Sequence, residues 1–300
     1  MDPRRRALLV LLAAGHAVRP ALAQSLHVKN IPSTGEALPV IGVGTWQTFD
    51  VGADSSARAA LLEVLKLMTQ AGRGVVDSSP MYGSSESVAG DLMAGHGLHD
   101  KLFVATKVWT NGRDAGIRQM ETSFKRLRVE RMDLMQVHNL ADVETHTRTL
   151  TDWKDKKRVR YIGITHYTAS AYAEVERLLK TRQYDFLQIN YSLGERESQN
   201  RVLPLARDLK VAVIANRPFA EGALFRRTKG KPLPPWAAEL GIASWAQYFL
   251  KWIVSHPAVT CAIPGTGNPK HMQDNLGAGV GKLPSAAQRK KMAEYFDAQS

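Results

Sequence analysis

The fold of this chain is decided by three short stretches, each the end of a candidate strand that closes with an ionisable residue: Val75-Val76-Asp77, Ala105-Thr106-Lys107 and Gln136-Val137-His138. Lys107 follows Asp77 by 30 residues, and His138 follows Lys107 by 31. Either spacing is the length of one strand-and-helix unit. The three residues therefore end successive parallel strands, and we expect their side chains to rise to the same rim of a sheet.

The same alternation of short β-branched runs and helical patterns continues in both directions. Candidate strands lie at 40–44, 75–77, 102–107, 134–138, 160–165, 186–190, 211–215 and 259–263. The clearest helical patterns lie at 57–70, 116–127 and 169–180, the last with Thr168 as its predicted N-cap. Eight strands separated by helices predict an α/β fold, a (β/α)8 TIM barrel. A doubly wound sheet is the alternative, but the segment in which the first strand ends, Gly42 to Trp46, lacks the third glycine of the G-x-G-x-x-G signature of that fold.

Three other features of the sequence bear on the fold. Residues 26–39 carry a turn signal at Ser33-Thr34-Gly35 between apolar runs, which predicts an N-terminal β-hairpin at the barrel floor. Residues 219–235 are rich in Gly and Pro and predict a long irregular loop. Cys261, the single cysteine, excludes an intramolecular disulfide and a cysteine-based zinc cage, and its apolar surroundings predict burial in a strand.

The composition is that of a globular protein, with 44% hydrophobic and 23% charged residues, and it excludes a disordered or multi-span membrane chain. The net charge of +12 raises the question of a nucleic-acid partner. No nucleic-acid motif accompanies the basic clusters, which fall on or beside predicted outer helices. We therefore expect solvated basic faces, no nucleic-acid partner and no metal site.

The N-terminus has the order of an export signal, with arginines at 4–6, an apolar run and a small-residue site at 21–23. The apolar run is shorter than the ~20 residues that span a bilayer. Arg5-Arg6-Ala7-Leu8-Leu9 fits the twin-arginine pattern, and a Sec signal or a frayed helix is the alternative. We predict a signal peptide over 1–23, one barrel domain over 24–300, and a periplasmic or secreted protein without a stable membrane anchor.

The rim residues and their surroundings resemble the aldo-keto reductase family. The resemblance extends from about Ile31 to about Asn275, and Tyr82 lies in the loop that follows Asp77. The matching segments are Gly42–Trp46, Val76–Gly83, Ala105–Trp109, Gln136–Asn139, Tyr161–Thr165, Gln188–Ser192 and Ile263–Thr266. The resemblance implies an NAD(P)H-dependent oxidoreductase that reduces small aldehydes and ketones to alcohols.

The resemblance also implies a role for each rim residue. Tyr82 is the expected proton donor to the substrate oxygen, where negative charge develops. Lys107 is expected to lower the Tyr82 pKa from about 10, and Asp77 to hold Lys107 charged and in place. His138 is expected to hydrogen-bond and orient the substrate oxygen. Taken singly, each of these residues has an ordinary structural explanation, such as a cap or a packed side chain.

The hydride must come from a cofactor, since no protein side chain delivers one. The resemblance implies a nicotinamide dinucleotide held by Gly44, Thr45, Thr165, His166, Gln188, Arg217, Gly265, Thr266, Lys270, Asp274 and Asn275. The walls of the substrate pocket are expected to be Trp46 and Trp109, for which ordinary packing is the alternative.

The sequence departs from the family pattern at three places. Thr165 and His166 stand where a Ser–Asn pair is common, and Asn216 stands where an aromatic residue often stacks on the nicotinamide. His271, beside Lys270, occupies the place of an arginine that grips the 2′-phosphate of NADP. We expect NADP(H) as the preferred cofactor, with NAD(H) as the alternative.

Two other functions are considered. An exported redox sensor or regulatory subunit would bind the cofactor with little turnover. A barrel hydrolase would need a metal cluster or paired carboxylates, and only Asp77 and Glu86 lie near the rim in these segments. We expect a monomer, and the short segment after the helical pattern at 285–296 predicts an open pocket with broad specificity.

Overall fold

The structure, a computed structural model, describes residues 26–299. Its strands are β1 (Val28–Asn30), β2 (Ala37–Pro39), β3 (Val43–Gly44), β4 (Gly74–Asp77), β5 (Leu102–Val108), β6 (Met132–His138), β7 (Val159–Thr165), β8 (Phe186–Asn190), β9 (Ala212–Asn216) and β10 (Cys261–Ala262). Its α-helices are α1 (Ser55–Gln70), α2 (Ser85–Gly95), α3 (Arg113–Leu127), α4 (Val143–Asp155), α5 (Tyr172–Leu179), α6 (Val202–Asp208), α7 (Ala223–Thr228), α8 (Trp245–Val254), α9 (Pro269–Gly277) and α10 (Ala286–Asp297).

The barrel is built from β3 to β10, which form one parallel sheet in chain order. Parallel bridges from Ile41 to Ala262 and from Gly44 to Gly265 join the first of these strands to the last. The predicted (β/α)8 fold is therefore confirmed. The two strands at this seam are only two residues long, shorter than predicted, because pairing there consists of isolated bridges.

The floor of the barrel is closed by the β1–β2 hairpin, as predicted. The two strands are antiparallel, and Gly35 in the turn has a φ of +78°, which favours glycine. Ile31 and Leu38 are fully buried in one cluster with aromatic side chains inside the barrel. These aromatic residues, which lie at the lower end of the barrel, are Phe103, Tyr161 and Phe186.

Two local predictions are corrected. The helical pattern at 169–180 begins as a 3-10 turn, and the Thr168 hydroxyl bonds His166 and Ser170 in place of the helix backbone. The irregular stretch 219–235 contains α7, because Leu224 is buried and draws the segment onto the barrel. Cys261 is buried in β10, as predicted.

The predicted signal over 1–23 lies outside the described residues. Among residues 26–299, no helix is long and apolar enough to cross a membrane. The same part of the chain contains no group of three or more His, Cys, Asp or Glu side chains placed to hold a metal ion.

Candidate active site

A cavity of about 650 Å³ opens at the carboxyl ends of the barrel strands. Many predicted site residues line it: Gly44, Thr45, Trp46, Asp77, Tyr82, His138, Thr165, Gln188, Arg217 and Gly265. Residues from the segment after β9 line it as well, namely Pro218, Phe219, Glu221, Gly222 and Phe225. The strand order thus brings residues spread over more than 200 positions to one rim.

Lys107 and Asp77 form a buried ion pair below the cavity. Lys107 Nζ donates to Asp77 Oδ2 at 2.5 Å and to the Ser78 carbonyl at 2.7 Å, and the Lys107 side chain is 0% exposed. Burial alone would lower the pKa of Lys107, but the Asp77 carboxylate and then Tyr82 outweigh burial and raise it. Lys107 is therefore a fixed positive charge at the base of the site.

The other oxygen of Asp77 is held by two amides. Gln188 Nε2 donates to Asp77 Oδ1 at 2.8 Å, and Gln136 Nε2 donates to the same oxygen at 3.1 Å. Gln136 is a site residue that the sequence reasoning missed. It lies two residues before His138 on β6, so it faces the barrel interior like His138, and a polar residue at an inward position of an apolar strand was the available signal.

Tyr82 is positioned by the tight loop between β4 and α2. Gly83 has a φ of +57°, and a Cβ there would lie 2.2 Å from the Asp50 carboxylate. Asp50 in turn accepts hydrogen bonds from the backbone and hydroxyl of Ser84. Lys107 Nζ lies 5.1 Å from the centroid of the Tyr82 ring.

The pKa of Tyr82 corrects a prediction. Lys107 does act to lower it, as expected, but burial is the larger influence and the pKa of Tyr82 is raised above its ordinary value. The expectation considered only the ammonium and left out the loss of solvation. The result is a phenol that is protonated at neutral pH, which suits a proton donor.

His138 lies beside Tyr82 with its ring nearly perpendicular, the ring centroids 6.0 Å apart. Burial, followed by the charge of Lys107, lowers the pKa of His138 to about 3, so the imidazole is neutral. Its Nδ1 lies 3.1 Å from Ser79 Oγ. Trp109, which is 42% exposed, packs against the ring at 5.8 Å, while Trp46 is 47% exposed and lines the cavity directly.

The cavity also offers polar groups suited to a dinucleotide. Asn216 Oδ1 and Arg217 Nε are buried without a hydrogen-bond partner in the described part of the chain. Gly44 and Gly265 leave the cavity wall without side chains, and a Cβ on Gly44 would lie 3.1 Å from the Ile263 carbonyl. The unpaired polar atoms can bond a polar ligand, and the glycines allow that ligand to approach the backbone of the cavity wall closely.

Five predicted cofactor residues do not line this cavity. Thr266 and Asn275 are buried, Lys270 is exposed, and all three lie in or just before α9. The Asp274 carboxylate accepts hydrogen bonds from Ser244 and Gln247, both at 2.7 Å, which joins α9 to α8. The His166 ring stacks on the ring of Tyr167, a cavity residue, with 5.6 Å between the two centroids. Its Nδ1 accepts a hydrogen bond from the backbone N–H of Thr168 at 3.2 Å.

Comparisons with known proteins identify the fold and the family. Methylglyoxal reductase YeaE of Escherichia coli is 29% identical over 271 residues, which cover 87% of this chain and 93% of that protein. An aldo/keto reductase from Klebsiella pneumoniae, solved with NADP and acetate, superposes with a TM-score of 0.75 at 24% identity and covers 87% of this chain and 93% of that one. A second structure, of an aldo-keto reductase from Klebsiella pneumoniae with NADPH, has a TM-score of 0.74 at 23% identity and covers 91% of this chain and 95% of that one. The family model for the aldo/keto reductase family matches residues 40–291. The chain belongs to the aldo/keto reductase family.

Proposed function

We propose that this chain is an NADP(H)-dependent reductase of aldehydes and ketones in which Tyr82 donates the proton. One observation carries the proposal: Tyr82 and His138 line the cavity directly above the buried Lys107–Asp77 pair. That arrangement supports the proposal because a protonated phenol, a neutral imidazole and a fixed cation are groups that stabilise negative charge developing on a carbonyl oxygen.

The proton chemistry follows from the pKa shifts. Tyr82 is protonated at neutral pH, since burial raises its pKa above an ordinary value of about 10, and it therefore has a proton to give to the substrate oxygen. The phenolate left behind lies beside the Lys107 ammonium, whose opposite charge stabilises it. Asp77 keeps that ammonium in place through the 2.5 Å bond between Oδ2 and Nζ.

His138 orients the substrate oxygen in this proposal. Ser79 Oγ accepts from the Met81 backbone N–H, so the Ser79 hydroxyl proton is free to bond His138 Nδ1. The neutral ring then carries its proton on Nε2 and donates a hydrogen bond from that N–H to the substrate oxygen, while the proton stays on the ring. The exposed indole of Trp46 and that of Trp109 form an apolar wall that excludes water.

The cofactor is proposed from the same cavity. When bound, a reduced nicotinamide supplies the hydride. Gln188 and Thr165 are proposed to hold its carboxamide, since Thr165 Oγ1 lies 3.4 Å from Gln188 Oε1 in the cavity wall. Arg217 is proposed to neutralise the diphosphate, and Lys270 near the start of α9 to favour NADP(H) over NAD(H). The NADP- and NADPH-bound structures of similar fold support this choice.

A turnover assay tests the proposal. The purified full chain is mixed with NADPH and a panel of carbonyl compounds that includes methylglyoxal and an aromatic aldehyde, and the loss of reduced-nicotinamide absorbance is followed. We expect multiple turnovers on several substrates. Tight binding of NADPH without turnover on any carbonyl would contradict the proposal and favour a cofactor-binding sensor.

We further propose that residues 1–23 direct export and that the chain acts as a monomer. The order of basic, apolar and small residues supports the first part. Cell fractionation of the full chain and of an Arg5→Lys, Arg6→Lys double variant tests it: twin-arginine export predicts that only the variant stays in the cytoplasm. Gel filtration tests the second part, and a dimer-sized peak would contradict it.

A further inference from the structure

A layer of polar side chains crosses the barrel interior at the base of the cavity. Asp77, Gln136 and Gln188 belong to alternate strands β4, β6 and β8, and none is more than 2% exposed. Alternate strands contribute side chains to the same layer of a (β/α)8 barrel. Gly163 on β7 makes room for this layer, since a Cβ there would lie 3.3 Å from Gln136 Cγ and 2.8 Å from the Phe186 carbonyl.

The hydrogen bonds in this layer determine where the oxygen and the nitrogen of each glutamine side-chain amide lie. An ionised carboxylate only accepts, so the groups that contact Asp77 Oδ1 must be the nitrogens of Gln136 and Gln188. Gln188 Nε2 also faces Gln136 Oε1, at 3.5 Å. The Gln188 oxygen is therefore on the other side, where Thr165 Oγ1 donates to it at 3.4 Å.

We infer that Asp77 is a positioning residue for the amide of Gln188, and that this makes the cavity select a nicotinamide ring whose carboxamide carries an NH2 donor. With its nitrogen committed to Asp77, Gln188 offers only an oxygen to a ligand. Thr165 gives its proton to that oxygen and so also offers an acceptor. The inference rests on the proposed function, because it places the nicotinamide carboxamide beside Gln188.

The Lys107 ammonium makes the inference testable at a single residue. In an Asp77→Asn variant, Lys107 still requires an acceptor and takes the side-chain oxygen of the new amide. The nitrogen of that amide then faces Gln188, whose oxygen must turn inward to accept from it. Gln188 would present its NH2 group to the ligand, the reverse of its arrangement in this structure.

The experiment compares equilibrium dissociation constants without turnover. NADP+ and its 3-acetylpyridine analogue, which replaces the carboxamide NH2 by a methyl group, are titrated against the full chain, with intrinsic tryptophan fluorescence as the readout. The thionicotinamide analogue, which keeps the NH2 group, is the ligand control. We expect the unmodified chain to bind NADP+ and the thionicotinamide analogue about tenfold more tightly than the acetylpyridine analogue, the cost of leaving a buried acceptor unpaired.

The variants separate positioning from general damage. In Asp77→Asn, the dissociation constant of the acetylpyridine analogue should equal that of NADP+ or fall below it, so the tenfold preference is lost. Gln136→Met leaves the Asp77–Gln188 bond in place, and its preference should stay within about twofold of that of the unmodified chain. Gln188→Met should abolish the preference, because that side chain then offers no acceptor; if Asp77→Asn does not fold, an unchanged preference in Gln188→Met still overturns the inference. An unchanged preference in a folded Asp77→Asn or in Gln188→Met overturns the inference, as does equal binding of the analogues by the unmodified chain. Failure of the unmodified chain to bind NADP+ at all overturns the proposed function instead.

Discussion

The two ends of the barrel are built from the same strands and have opposite chemistry. At the rim, the interior holds a buried ion pair, Lys107–Asp77, and the amides that support it. At the floor, the interior holds aromatic rings, with Phe103 and Phe186 at 5.8 Å between centroids, covered by the hairpin. A buried ion pair contributes little net stability, because desolvation offsets its attraction, whereas buried rings contribute several kcal/mol. We therefore expect the rim to carry the chemistry and the floor to contribute more of the stability.

Loss of the Lys107 charge should have the largest effect, because it should lower both the stability of the fold and the rate of turnover. Lys107→Met leaves the Asp77 carboxylate buried without its partner, which should lower the free energy of unfolding by about 3–5 kcal/mol. Turnover should also fall below detection, since no cation stabilises the Tyr82 phenolate. Chemical denaturation and the NADPH assay measure the two effects, and a variant as stable as the parent would contradict the buried-pair argument.

Loss of the proton donor should affect only the rim. Tyr82→Phe keeps the ring and removes the hydroxyl, so kcat/KM for an aldehyde should fall on the order of 10³-fold. The thermal midpoint and the dissociation constant for NADP+ should stay close to those of the parent. Tyr295→Phe, the same change on α10 at a residue that does not line the cavity, is the matched control and should retain turnover. A Tyr82→Phe enzyme within tenfold of the parent would assign the proton to another group.

Loss of an aromatic side chain at the barrel floor should lower stability and leave turnover nearly unchanged. Phe103→Ala removes a fully buried side chain from the floor cluster and should lower the free energy of unfolding by about 3 kcal/mol. The rate per folded molecule should stay within about twofold of the parent at a temperature where both are folded. A large fall in that rate with little loss of stability would show that the floor and the rim are coupled.

The pKa of His138 predicts an acid-sensitive rim. Its folded pKa is about 3, below the ordinary 6.5, so protons bind preferentially to the unfolded chain and stability falls as the pH drops from about 6.5 toward 3. Between pH 7 and pH 5 the parent should lose about 1–2 kcal/mol that a His138→Gln variant does not lose. Urea denaturation at the two pH values measures the difference, and parallel pH profiles would contradict the buried neutral imidazole.

The smallest effect is expected at Lys270, which is exposed near the start of α9. Surface charge pairs contribute little, so Lys270→Met should reduce the preference for NADPH over NADH by only a few-fold. The ratio of kcat/KM for the two cofactors measures it, at low ionic strength. Lys290→Met, on α10, is the charge-matched control. An equal fall in the NADPH preference of that variant would show that the preference depends on the overall charge of the protein and not on Lys270.

The fold could be predicted because the strands alternate with helices at a regular spacing. The same spacing located the rim residues, since a barrel places the carboxyl ends of all its strands together. Asp77, Lys107 and His138 were therefore placed at one rim from their order along the chain, whereas Tyr82 was named from its place in the loop after Asp77 and from the family resemblance. Their roles in catalysis stay predictions that the assays above test.

Other features depend on contacts that spacing does not encode. Gln136 was missed because its role comes from a bond to Asp77, 59 residues away, and not from its own position at a strand end. The sign of the Tyr82 pKa shift depends on how deeply the phenol is buried, which the sequence does not state. The helix inside 219–235 forms because Leu224 packs on the barrel, despite the surrounding Gly and Pro residues.

The most direct test of the central claim, carbonyl reduction at the rim, follows the hydride itself. The full chain is incubated with NADPH carrying deuterium in place of both C4 hydrogens and with an unlabelled aldehyde, and the alcohol is analysed by mass spectrometry. The account predicts one deuterium on the alcohol carbon of the product, formed over many turnovers and nearly lost in Tyr82→Phe. An alcohol without deuterium, or no alcohol from a chain that binds NADPH, would contradict it.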